Sequence, residues 1–130
     1  MTNALERQVG GTHYKGMKIQ PLEFAMANAW DAGAFSILKY LSRHATKNGL
    51  QDVEKALHFI DLRDHFYEHV TAGDTKIAMS DYIVQNAFAG PTATALYHLY
   101  LWVKTPAGDH HLVELRKVIA VLERQYRDQG

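Results

Sequence analysis

Residues 34–60 read AFSILKYLSRHATKNGLQDVEKALHFI. Apolar residues recur at Ile37, Leu38 and Leu41, and again at Val53, Ala56, Leu57 and Ile60. This three-and-four spacing puts each set on one face of a helix that turns about 100° per residue. Between the two runs stands Asn48-Gly49, a pair that ends helices and opens turns. The stretch predicts two antiparallel helices. The first runs from about Ala34 to Lys47; the second starts near Asp52, a residue suited to an N-cap, and ends at Ala72-Gly73.

Working outward, Pro21 suits the first turn of a shorter helix through Trp30, with Gly33 as its break. The second half repeats this outline. Ser80 reads as a cap, a short helix reaches Phe88, Gly90-Pro91 opens another, Thr105–Asp109 turns, and a long helix runs from Asp109 to Arg127. A shift of 58 residues aligns Phe24 with Tyr82, Asn28 with Asn86, Ala29 with Ala87, Trp30 with Phe88 and Leu41 with Leu99. A shift of 60 then aligns Val53 with Val113 and Leu62 with Leu122. Strand-type alternation is absent. The expected fold is all-α: two degenerate copies of a three-helix unit in a single domain spanning residues 1–130. Residues 1–20 form an N-terminal ligand-binding loop or arm, 21–72 the first repeat carrying the site, and 79–128 a second repeat for packing and oligomerisation.

Composition narrows the partners. A chain of 130 residues with 47% apolar content can bury one core. Fourteen Lys and Arg balance fourteen Asp and Glu, so no overall field draws nucleic acid, and none is expected as a partner. There is no cysteine, which removes disulfides and thiol nucleophiles. No run approaches the ~20 apolar residues of a membrane span, and the expected setting is the cytoplasm without a membrane partner.

The halves differ in charge. Ser36, Lys39, Tyr40, Arg43 and Lys47 share one helical face. Their counterparts Thr94, Tyr97, His98, Leu101 and Thr105 carry no full positive charge, and Asp52 and Lys55 map onto Leu112 and Leu115. Lys39, Arg43 and Lys47 offer charge and several donors to an anion, and Arg43 can fork onto two phosphate oxygens. Gly10 and Gly11 allow close approach of a ligand to the main chain, with His13 and Tyr14 beside them to donate or stack. An ordinary solvated helix face is the competing reading of the stripe.

GGTHY (10–14), QPLEF (20–24) and KYLSRHATKNGLQDVEKALHF (39–59) together resemble a small phage-encoded family, long catalogued as a domain of unknown function, that includes a coliphage nucleotide kinase. Carried over by position, the resemblance marks Gly10, Gly11, His13, Tyr14, Gln20, Pro21, Glu23, Lys39, Tyr40, Arg43, Lys47, Gly49, Asp52 and Lys55. It implies a nucleotide ligand. No G-x-x-x-x-G-K-[ST] string is present, so catalytic residues stay unassigned and no cofactor is expected. The main reading is a protein that sequesters a nucleotide or a nucleotide-derived signal, linear or cyclic, in the manner of an anti-defence sponge. A nucleoside-monophosphate kinase is the alternative. A metal-dependent nucleotide hydrolase, using His58, Asp61, His65 and His69 at helical spacing, is the weaker one. Finally, ATALYHLYLWV (93–103) is apolar nearly all round, which predicts a helix enclosed on every side and a homo-oligomer.

Overall fold

The computed structural model describes residues 16–105 and 109–129. Among them are six α-helices and no strand: α1 (Pro21–Ala27), α2 (Ala32–Arg43), α3 (Leu50–His65), α4 (Met79–Gln85), α5 (Gly90–Lys104) and α6 (Asp109–Gln129). The chain is all-α, as the periodicity requires. α2 packs on α3 and α5 on α6, and the two pairs meet through α2 against α5 and α3 against α6. The short helices α1 and α4 lie against α2 and α5. Ile37, Leu38, Leu41, Val53 and Ile60 meet Leu96, Leu99, Leu115 and Ile119 in one buried core.

Several helix ends differ from the sequence expectation because packing sets them. α1 stops at Ala27, Ala29 turns the chain at φ 53°, and Asp31 caps α2 by accepting the Ala34 N–H at 2.9 Å. Gly33 therefore lies in the first turn of α2 and breaks nothing. α2 itself ends at Arg43, one turn before Lys47. The cap of α3 is Gly49 and not Asp52. Gly49 has φ 55°, and a Cβ there would stand 3.2 Å from the Tyr126 ring, so both conformation and space call for glycine. α3 closes at His65, followed by a single 3-10 turn at Tyr67–His69, and Ser80 falls inside α4, whose cap is Ala78.

Some positions 58 residues apart share backbone detail. Ala29 and Ala87 have left-handed φ values of 53° and 59°. Trp30 and Phe88 both return their N–H to a carbonyl five residues back, Ala25 and Ile83. Asn28 accepts the N–H groups of Lys76 and Ile77 at 2.7 and 2.9 Å and donates to the Ile77 carbonyl. Asn86 accepts the N–H of Ile19 at 3.1 Å and donates to its carbonyl at 2.8 Å. Each asparagine thus holds the approach to the other half's first helix, and Phe24 and Tyr82 touch each other at 5.0 Å between ring centroids.

One face of α5 is covered inside the chain, while Tyr97 on it stays exposed. Ala95, Leu96, Leu99, Trp102 and Val103 are buried, and α5 packs on α2, α4 and α6. No helix among the described residues is long and apolar enough to cross a membrane.

Candidate functional site

The last two turns of α2 carry Lys39, Tyr40 and Arg43, and the first turns of α3 carry Asp52 and Lys55. Antiparallel packing of the two helices brings the five together. Tyr40 is the centre: its ring stacks on Phe59 at 5.7 Å and 19°. Around that ring stand Lys39 Nζ at 4.7 Å, Arg43 Cζ at 4.6 Å and Lys55 Nζ at 5.4 Å from the centroid. The negative face of the ring partly offsets the mutual repulsion of the cations.

The three cations are not equivalent. Arg43 is buried, and its Nη2 donates to Asp52 Oδ1 at 3.1 Å; the Asp52 carboxylate is fully enclosed and also accepts the Asn48 N–H at 3.2 Å. The expected open fork of Arg43 is thus corrected to a buried ion pair, and Asp52 from helix cap to buried partner. The physical reason is that the Arg43 end of the stripe on α2 turns onto α3 and not to water. Lys47 is the third correction. It stands exposed in the turn between α2 and α3, off the helix, so the expected stripe stops at Arg43. Lys39 and Lys55, both half-buried, have no carboxylate within ion-pair distance among the described residues.

Gly10, Gly11, His13 and Tyr14 lie outside the described residues. The segment that follows them ends at Gln20 and Pro21, which with Leu22 and Phe35 line a hollow of about 200 Å³ beside Lys39. The Gln20 N–H bonds to Glu23 at 3.2 Å, so the Gln-Pro-x-Glu string starts α1. Glu23 is a capping residue. The motif residues accordingly divide: Gln20, Pro21, Glu23, Gly49, Arg43 and Asp52 build the fold, while Lys39, Tyr40 and Lys55 present chemistry at its surface.

A family described as a protein of unknown function, DUF3310, matches residues 9–61. The matched stretch holds the opening loop, α1, α2, the turn at Gly49 and most of α3, and it stops short of the second half. No curated protein and no solved structure matches the chain. The resemblance to an uncharacterised family therefore covers the half that carries the cations.

Sequence reasoning missed Phe59, although its place four residues after Lys55 was a usable signal. It also missed the pair Asp31–Arg63. Arg63 is buried, makes three hydrogen bonds to the Asp31 carboxylate from Nε and Nη2 at 3.0–3.3 Å, and lies 4.5 Å over the Trp102 ring. The expected metal face on α3 is not assembled. Asp61 accepts from Arg116 at 2.7 Å, α3 ends before His69, and no three His, Cys, Asp or Glu residues are placed to hold a metal among the described residues.

A second polar centre ties the helix ends. His44 Nδ1 bonds to the Tyr126 hydroxyl and Nε2 to Thr92 Oγ1 at 2.8 Å. Burial holds the His44 imidazole below its usual pKa, against the opposing pull of Asp52, and burial pushes the Tyr126 phenol up, with Asp52 adding to it. His98 is lowered in the same way by burial. Above the ordinary imidazole value of about 6.5 both folded and unfolded chains hold these rings neutral. As pH falls below it the unfolded chain takes up protons first, so stability falls. Urea midpoints are expected to be lower at pH 5.5 than at pH 7.5, with a smaller drop in His44→Asn; an unchanged drop in that variant assigns the effect elsewhere.

Proposed function

We propose that this chain binds a nucleotide or a nucleotide-derived phosphorylated ligand through Lys39 and Lys55 on the Tyr40 platform, and holds it intact. The supporting observation is the convergence of three cations on one ring while, among the described residues, only Arg43 of the three has a carboxylate partner. Two ammonium groups on a half-buried aromatic surface are stabilised by an incoming anion, and phosphate offers several oxygens to their six N–H donors. Arg43, held by Asp52, adds its charge from below and keeps Tyr40 in place. The amides of Gly10 and Gly11, with His13 and Tyr14, complete the ligand's enclosure in this proposal, as the sequence resemblance implies. The second half, which has Tyr97, His98, Leu101, Leu112 and Leu115 at the matching positions, is the degenerate copy that supports the first.

Sequestration of a host nucleotide signal by a phage protein is the biological setting we favour; turnover by a nucleotide kinase is the competing reading from the sequence resemblance. Lys39→Ala and Lys55→Ala are each expected to weaken binding of a nucleoside diphosphate about tenfold, the value of a charged hydrogen bond, without moving the melting temperature. Calorimetry at two salt concentrations checks this, and unaltered affinity in both variants would sink the proposal. Chromatography of the nucleotide after incubation with a phosphate donor separates the two settings: intact ligand supports sequestration, converted ligand supports the kinase.

A further inference from the structure

Ser36 and Tyr40 lie one turn apart on α2, as Lys55, Phe59, Leu62 and Phe66 follow each other on and just after α3. The two stripes lie on the packed helix pair α2 and α3. At one end are the cations on Tyr40. At the other is a hollow of about 300 Å³, within the range of small-molecule sites, walled by Phe59, Leu62, Phe66 and Val70 with Asp31 and Ser36 at its polar edge. Phe59 joins the two ends, since it lines the hollow and stacks on Tyr40.

We infer that this hollow is the subsite for the aromatic base of the phosphorylated ligand, a reading that rests on the proposed phosphate role of Lys39 and Lys55. Three features select a planar aromatic group over an aliphatic one. Two phenyl rings form its walls, and Phe66 keeps 53% of its surface exposed although it is large and apolar, as expected of a ring that a ligand covers. Ser36 lines the hollow, and its Oγ, which donates to the Ala32 carbonyl at 2.9 Å, keeps lone pairs to accept from the N–H edge of a base. The floor is rigid. The Arg63–Asp31 pair is clamped by Trp102, and Asp31 also accepts the N–H groups of Ala34 and Thr71, which fixes the shape of the hollow before a ligand arrives. Charge complementarity sets the ligand's direction, base toward Phe66 and phosphate toward Lys39 and Lys55.

The test compares inorganic pyrophosphate with the four ribonucleoside 5′-diphosphates and a cyclic dinucleotide by calorimetry. At least one nucleotide is expected to bind tenfold or more tightly than pyrophosphate. Ser36→Trp, which fills the hollow, should remove that preference and leave pyrophosphate affinity within twofold. Phe66→Ala, at an exposed position that carries little of the core, should reduce the preference several-fold and serves as the readout if Ser36→Trp does not fold. Equal binding of pyrophosphate and every nucleotide, or a preference that survives both substitutions, overturns the base subsite while the cation site stands. Binding of neither pyrophosphate nor any nucleotide overturns the cation site itself, and the subsite with it.

Discussion

Arg43→Ala is expected to destabilise the fold by about 3–5 kcal/mol, because it leaves the Asp52 carboxylate enclosed and without its cation. Asp52→Leu should cost a similar amount by stranding the buried guanidinium. The double variant Arg43→Leu/Asp52→Leu should be less destabilising than either single change by 2 kcal/mol or more, on the order of the penalty for one unpaired buried charge. Urea denaturation of the four proteins closes this cycle. Additive single costs would mean that the pair is not coupled. The double variant also isolates the charge of Arg43 from its fold role, since a folded chain lacking it should still bind phosphate through Lys39 and Lys55, though more weakly.

The second large effect lies at the joint between the halves. Asn28→Ala removes the acceptor of two main-chain N–H groups and a donor to a third group, Ile77 carbonyl, at a site 1% exposed. Each buried polar group left unmade costs about 1–3 kcal/mol, which puts the change near 3 kcal/mol even after partial rehydration. Asn86→Ala deprives only Ile19 of its partners, and should cost about half as much. Midpoints from chemical denaturation test the order. If Asn86→Ala proves the more damaging, the joint is carried by the approach to α1 and not by the approach to α4.

Both predictions turn on residues whose identity was plain in the sequence and whose role was not. Arg43 was marked by its place in a basic stripe, and Asn28 by its match to Asn86, yet neither marking said that the first is interior or that the second reaches 48 and 49 residues along the chain to Lys76 and Ile77. The same holds for Asp52. Its position near the start of α3 suited a cap, but Gly49 takes that role because the Tyr126 ring, from the far end of α6, leaves no space for a side chain.

By itself the sequence determined the all-helical class, the six-helix outline, and the gathering of Lys39, Tyr40, Arg43, Asp52 and Lys55 at one end of a helical pair. Those features follow from the helical period and from turn residues, which act within a few positions and can be read without knowing what packs where. Only the tertiary structure decided which side of the stripe meets α3, and hence that Arg43 is buried with Asp52 while Lys39 and Lys55 keep their ammonium groups available. It alone stopped α2 at Arg43 and left Lys47 in the turn. It alone built the hollow, whose walls come from the start of α2, the end of α3 and the segment after it. Helical periodicity gives a residue's direction about its own axis; burial and pairing depend on the rotation of one helix against another, which is set by side-chain contacts far apart in the chain.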